Sequence, residues 1–293
     1  MKPAPFRYVA ASSLAEALSL KARYGEEARF LAGGQSLIPA MNFRLARPAV
    51  LIDINGLTEL ASIDRSNASQ AIRLGALTRY CAMEKDAGFL EACPLFADAL
   101  PHIAHPQIRN RGTIGGNFCH ADPASELPAV AVAMQARMRI KSSRGERELA
   151  AADFFVAPLT TALKDEEMLL EIAFPVPRPR SGASFMEVAR RRGDFALAGV
   201  AAIVSLDEDD RCSGIRLVFC GVGETPVDAS TSVSSLIGQR CTDKAIAGAA
   251  ADVRRMVAPA GNIHASAEYQ RHIAEILTRR AIATACDRIA HAA

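Results

Sequence analysis

"FLAGGQSLIPAM" (residues 30–41) and "TIGGNFCHADPASELPA" (residues 113–129) repeat one pattern: a Gly-Gly pair, a small polar residue, then an apolar run punctuated by proline. Adjacent glycines permit positive φ and remove Cβ from one side of a turn. Successive N–H groups then converge on an anion, and a helix beginning just after the turn reinforces the effect. Gln35 and Ser36 after the first pair, and Thr113 and Asn117 around the second, add side-chain donors. Two such nests facing one another suit a pyrophosphate, the bridge of a dinucleotide. Taken alone a Gly-Gly pair is an ordinary turn, and neither stretch matches G-x-G-x-x-G or G-x-x-x-x-G-K-[ST], so a Rossmann domain and a P-loop are unsupported.

The flanks place these turns in a fold. Upstream, Ser13 followed by Glu16 is a capping-box pattern and Gly25 is a stop signal, which predicts a helix of about three turns. A strand from Arg29 to Ala32, the first glycine turn, a short helix from Ser36 and the strand "AVLIDI" ending at Ile54 form a compact βαβ unit. Next come a short strand in "AIRLGALT", a helix from Cys81 to Ala99 and the proline-broken loop "PHIAHPQIRNR". After the second glycine pair, "ELPAVAVAMQARMRI" and "RELAAADFF" flank the turn "SSRG", and "EEMLLEIAFPVP" is a strand ending in prolines. The run "PVPRPRSG" marks a domain boundary. Beyond it, "FALAGVAAIVSL" and "IRLVFCGVG" around the acidic turn "DEDDRCSG" predict an antiparallel hairpin, and two helical stretches follow, so this part reads as α+β.

Composition narrows the function. With 293 residues, half of them hydrophobic, the chain folds as two or three modules. Its formal charge of +2 comes from balanced acids and bases without a basic block, which argues against a nucleic-acid partner or an anionic membrane. The opening "MKPAPFRYVAAS" has no apolar signal core, and no run approaches transmembrane length, which predicts a cytoplasmic chain with no membrane span. The seven cysteines are scattered and never spaced C-x-x-C, so they signal neither a disulfide framework nor a zinc or iron–sulfur site; Cys119 reads as a small buried thiol. His102 and His105 stand three apart with no third ligand near, so packing outweighs metal ligation; no metal site is expected. Arg190 to Arg192 read as a solvated face or a basic edge for a partner.

"AGGQSLIPAMNFRLARP" and "HPQIRNRGTIGGNFCHADPASELPA", with "RRRGDFALAGVAA" and "SAEYQRHIAEILTRRA" later on, resemble the flavoprotein (medium) subunit of the molybdenum hydroxylases, the group that includes aerobic carbon monoxide dehydrogenase and the xanthine dehydrogenases. The resemblance covers essentially the whole chain. It implies an α+β fold with a two-subdomain FAD-binding region of the vanillyl-alcohol oxidase type, residues 1–55 and 56–177, then a C-terminal domain, residues 178–293, with a small antiparallel sheet and helices. By matching positions, Ala32, Gly33, Gly34, Gln35, Ser36 and Leu37 would wrap the FAD pyrophosphate, with Thr113, Gly116 and Asn117 closing from the other side. Glu126 would hold the adenosine ribose and Leu169 would pack beside the adenine. Ile103 and Ala104 would lie near the isoalloxazine, with Asp194 and Phe195 approaching its other face, although relatives often carry another residue at the place of Phe195. His120 and Asp122 would supply a donor and a cap within the second motif.

The implied function is electron transfer. Lacking a C-x₄-C-x₂-C pattern and a molybdopterin segment, the chain would take electrons from a small [2Fe-2S] subunit, while substrate is hydroxylated on a large molybdopterin-binding subunit; the assembly would be a dimer of heterotrimers. The chain would then reduce an external acceptor: quinone, NAD or oxygen. No catalytic acid–base pair is needed. The alternatives are a self-sufficient FAD-dependent oxidoreductase of the same fold, which needs a substrate domain with its own base, and a non-catalytic assembly subunit that has lost flavin, against which the intact glycine motifs speak.

Overall fold

The computed structural model describes residues 2–67 and 70–292, and among these there are three main sheets and one two-stranded hairpin. The first sheet is parallel, in the order β1 (Arg7–Ala10), β3 (Val50–Asp53), β2 (Ala28–Leu31). Helix α1 (Leu14–Tyr24) connects β1 to β2. Ser13 Oγ accepts from Glu16 N–H at 3.2 Å, while the Glu16 carboxylate reaches back to the N–H of Ser12 at 2.8 Å, and Gly25 at φ +50° ends the helix. Helix α2 (Leu37–Asn42) connects β2 to β3, giving the expected βαβ unit with the first glycine turn at its crossing point.

The second sheet is antiparallel and runs β4 (Ile63–Asp64), β5 (Ala71–Gly75), β10 (Met168–Pro175), β6 (Arg137–Ser142), β7 (Gly145–Ala150). Between β5 and β6 come α3 (Tyr80–Lys85), α4 (Ala87–Ala92), α5 (Pro94–Ala99), α6 (Pro106–Arg109), α7 (Ile114–His120) and α8 (Glu126–Ala133); α9 (Ala151–Phe154) and the hairpin β8 (Phe155–Ala157)–β9 (Thr160–Thr161) lie between β7 and β10. The single helix expected over residues 81–99 is thus three. Asp86 caps α4 by accepting from Phe89 N–H at 2.9 Å, and Pro94, which has no N–H to continue a helix, starts α5.

The third sheet, β11 (Ser181–Ala189), β12 (Ala196–Leu206), β13 (Cys212–Cys220) and β14 (Val227–Asp228), is antiparallel throughout, and β12–β13 is the expected hairpin. One of its faces packs under α10 (Asp243–Met256) and α11 (Ala267–Ala292); the other, through Ala183, Phe185, Val218 and Cys220, joins the core of the second sheet. Helix α8 sits in that seam with every residue buried, which explains why "ELPAVAVA" is apolar on all sides but for its first position. A bidentate pair, Arg288 to Asp98 at 2.6 and 3.0 Å, clamps α11 to α5, and the same guanidinium takes the Ala183 carbonyl at 2.6 Å.

Candidate cofactor-binding site

The first glycine turn leaves the end of β2 and is held from below by Asn55, whose amide donates to the carbonyls of Leu31 (3.2 Å) and Ala32 (2.8 Å). Gly34 has φ +72°, the left-handed region that glycine enters without penalty. Gln35 does not point outward as a donor; its amide bonds back to the Gly33 carbonyl at 2.8 Å. Among the described residues, no acceptor takes the backbone N–H groups of residues 33–37. Amide hydrogens on a half-buried loop without protein partners are donors that can converge on an anion.

The second glycine pair lies against the first. A Cβ on Gly33 would stand 2.5 Å from the Arg111 carbonyl oxygen and 2.9 Å from Gly112 Cα, and a Cβ on Gly116 would come 3.8 Å from Ala32 Cβ. The two motifs, distant in sequence, are therefore neighbours. The second is not a nest, however. Ile114 N–H donates to Thr78 O (3.0 Å), Gly115 N–H to Ala76 O (2.8 Å), Gly116 N–H to Thr113 Oγ1 (3.1 Å) and Asn117 N–H to Thr113 O (3.0 Å). Its amides are consumed by the residues that follow β5 and by the Thr113 cap of α7. Gly115 is glycine because a Cβ would lie 2.6 Å from both the oxygen and the Cβ of Ala76, and Gly116 because its bare face fronts the first loop. What this side does offer is Asn117: its Nδ2 donates to Ser125 Oγ at 3.0 Å, while its buried Oδ1 has no partner among the described residues.

Beyond α7 the chain turns through Ala121, which adopts φ +50° as the helix cap; His120, in the last turn, is half-buried. Asp122 caps no helix; it accepts from Ala124 N–H at 2.9 Å in a local turn, and Ser125 is the residue that precedes α8. Glu126 opens α8 and is buried; loss of hydration, with the Asp122 carboxylate nearby, pushes its carboxyl up to about 7. Leu169 is 3 % exposed and lies in the core of the second sheet, while its neighbour Leu170 enters the core of the first.

The remaining residues meet at the seam with the third sheet. Ile103 is buried and Ala104 half-buried, with φ +44°; Arg109 donates to both carbonyls at 2.9 and 3.2 Å. The loop after β11 approaches so closely that a Cβ on Gly193 would be 2.6 Å from the Ala104 oxygen. Asp194 accepts from Phe195 N–H at 3.0 Å and from Arg190 at 2.8 Å; these donors and the Arg191 charge hold its carboxyl below the usual carboxylate range. Phe195 is 69 % exposed. A cavity of about 280 Å3 is lined in part by Asp122, Asp194 and Phe195, and Gly221 N–H to Pro123 O (2.8 Å) stitches that seam. Cys119 has an exposed residue surface, while burial around its sulfur pushes the thiol up to about 12.

Sequence reading did not single out Glu187. Its side chain is 1 % exposed on β11, 4.0 Å from His102 Nδ1, with Oε2 unpartnered among the described residues. Burial, reinforced by Glu126, pushes its carboxyl up to about 8. The alternation Phe185, Glu187 within "SFMEVA", an acid in phase with the apolar face, is the signal that marks it.

The chain resembles known proteins along its length. Residues 4–177 match the family described as the FAD binding domain in molybdopterin dehydrogenase, and residues 183–285 match the CO dehydrogenase flavoprotein C-terminal domain. The chain is 41 % identical to caffeine dehydrogenase subunit beta of Pseudomonas sp. (strain CBB1), over 99 % of this chain and 98 % of that one. It is 34 % identical to the carbon monoxide dehydrogenase medium chain of Hydrogenophaga pseudoflava, over 99 % and 100 %. A solved structure of carbon monoxide dehydrogenase from that organism, lacking the Mo-pyranopterin moiety, superposes with a TM-score of 0.94 at 33 % identity, covering 98 % of this chain and 99 % of that one. With both halves matched end to end, the chain belongs to the medium, FAD-binding subunit family of the molybdenum hydroxylases.

Proposed function

We propose that FAD lies with its pyrophosphate between residues 32–37 and the start of α7, and that the chain passes electrons from the iron–sulfur clusters of a small [2Fe-2S] partner subunit to an external acceptor. The observation that carries this is the row of amides at residues 33–37 with no acceptor among the described residues, fronted by the Cβ-free face of Gly116. The asymmetry matters: the first loop supplies hydrogen bonds, and the second supplies room, the orphaned Asn117 Oδ1 and the Thr113 cap that orders it. Glu126 is suited to ribose hydroxyls because a buried carboxyl gains from any donor that replaces its lost water. Ile103, Ala104, Asp194 and Phe195, gathered at the seam, would border the flavin ring, with exposed Phe195 on the side an acceptor approaches.

The flavin, when bound, supplies the redox chemistry by accepting electrons and handing them on. The chain's residues bind, orient and shield it. We further propose a large molybdopterin-binding subunit as the place of substrate oxidation, a dimer of heterotrimers as the assembly, the cytoplasm as its location, and the division into residues 1–55, 56–177 and 178–293. Among the described residues no helix is long and apolar enough to cross a membrane.

Titrating FAD into the flavin-free chain tests the reading. The expected outcome is a saturable yellow complex, bleached by dithionite, that turns over no substrate alone and copurifies with the two partner subunits. A colourless chain indifferent to flavin would overturn it.

A further inference from the structure

Glu187 is a buried acid with no assigned part in holding the cofactor. On β11 it stands opposite Gly199 of β12, which in turn stands opposite Cys220 of β13. A Cβ on Gly199 would be 2.7 Å from Cys220 Sγ, 3.2 Å from Phe185 Cζ and 3.6 Å from Glu187 Cγ, so the bare glycine makes room for the acid between these side chains. The Glu187 side chain is 1 % exposed, and among the described residues its Oε2 has no hydrogen-bond partner. A carboxylate there would be a desolvated charge lacking a donor, which favours the protonated acid.

The groups that face it are few. Glu126 on α8 opposes its ionisation, and Glu187 in turn opposes that of the Cys220 thiol on β13. His102, in the turn before Ile103, brings Nδ1 to 4.0 Å from Glu187 Oε1, and 36 % of its side chain is exposed. Among the described residues it is the only group able to carry positive charge within ion-pair distance of Glu187. Its ring meets that of Phe185 edge-on, with centroids 5.8 Å apart. Burial and the Arg192 charge lower the His102 imidazole, against the pull of Asp98, so a neutral ring with one donor and one acceptor nitrogen lies between the sealed carboxyl and water. The next residues, Ile103 and Ala104, are those proposed to border the flavin ring, and Ile103 shares one core with Phe185 and Cys220.

We propose that Glu187 is the proton-holding residue of the flavin-ring pocket and that His102 connects it to solvent, so that electrons arriving in the pocket draw a proton onto Glu187. This rests on FAD binding at the seam. As electrons enter from the [2Fe-2S] partner, negative charge grows near a carboxyl shielded from water, where charges act on one another with little screening. The Glu187 carboxylate then binds a proton more tightly. His102 Nδ1 gives its proton to the Glu187 oxygen, and Nε2 takes one from a water, leaving hydroxide to the bulk. One O–H bond forms on the carboxyl, one breaks in water, and neither side chain gains or loses an electron. Glu187 is thus a positioning residue for a charge, acting on the ring without being required to touch it.

The test is spectroelectrochemical titration of the FAD-loaded complex over a range of pH, since the slope of potential against pH counts the protons taken up per flavin reduced. While Glu187 keeps its proton in both redox states it adds nothing to the slope; once it ionises in the oxidised state, reduction takes up a further proton there. Burial and Glu126 set that point at about 8, so the wild-type profile should steepen above it, by one proton per flavin at most. Glu187→Gln should keep its flavin and lose the steeper segment, and Glu187→Asp, which retains an acid, should restore it. His102→Asn should leave the equilibrium profile in place but slow, severalfold, the absorbance change that follows a pH jump on the partly reduced complex. The proposal is overturned if flavin-loaded wild type and Glu187→Gln give the same profile, or if His102→Asn relaxes as fast as the parent. A chain that takes up no flavin overturns the cofactor assignment itself and this proposal with it, and the yellow colour distinguishes the two failures.

Discussion

Replacing Gly116 by alanine separates folding from cofactor binding. Gly116 lies inside α7 and is absent from the positive-φ glycines, so a methyl is compatible with its backbone. Alanine gains roughly 1 kcal/mol over glycine within a helix. Against this, the new Cβ would be 2.8 Å from Thr113 Oγ1. That hydroxyl must turn away, and losing its cap costs about 1 kcal/mol. The two effects nearly cancel, and the flavin-free variant should melt close to the parent. The same methyl points across the gap toward Ala32, 3.8 Å away, into the space assigned to the pyrophosphate. Overpacking that gap costs ~1–3 kcal/mol, a loss of roughly fivefold to 150-fold in FAD affinity. Gly33→Ala is the contrasting control: its Cβ would meet backbone atoms at 2.5 and 2.9 Å, so the fold itself should lose at least ~1–3 kcal/mol. Quenching of flavin fluorescence gives the affinities, and thermal melts of the flavin-free proteins give the stabilities. If Gly116→Ala melts like the parent and still binds FAD equally well, the pyrophosphate does not pass between these two turns.

Three other outcomes follow from the geometry. Glu187, with its carboxyl pushed up to about 8 from an ordinary 4.5, keeps a proton that the unfolded chain has released, so stability should fall as pH rises between those values and level off above. Its slope is at most ~1.4 kcal/mol per pH unit, and denaturant titrations over that window should show Glu187→Gln flattening the profile; a curve merely displaced in parallel refutes the assignment. Arg288→Ala removes both hydrogen bonds to Asp98 and the one to Ala183 from a partly exposed clamp, which should lower unfolding free energy by ~1–2 kcal/mol in denaturant melts. Phe195→Ala should alter stability by no more than ~0.5 kcal/mol, because the ring is 69 % exposed, yet change the rate at which reduced flavin in the complex is reoxidised by acceptor; an unchanged rate would remove Phe195 from the ring's surroundings.

Local signals were legible and non-local ones were not. Ser13, Glu16 and Gly25 delimit α1 because capping is settled within a few residues, and the β12–β13 hairpin follows from two apolar runs around an acidic turn. The breaks at Asp86 and Pro94 were written in the same local code but masked by the alanine-rich composition around them. Strand β1 gave no signal, since it is a mostly exposed edge without alternation. The glycine pairs led to the expectation of two nests, but which pair keeps free amides depends on where the carbonyls of Ala76 and Thr78 fall, a matter of tertiary packing. The same holds for Glu187, whose isolation arises only when the third sheet closes on α8.

The most direct test of the asymmetric cradle is an amide 1H–15N spectrum of the glycine-labelled chain, recorded before and after FAD is added. The Gly33 and Gly34 resonances should move strongly downfield as their free N–H groups gain phosphate oxygens, while those of Gly115 and Gly116, already bonded to Ala76 and Thr113, should move little. Large downfield shifts at Gly115 and Gly116 with Gly33 and Gly34 unmoved would contradict the account.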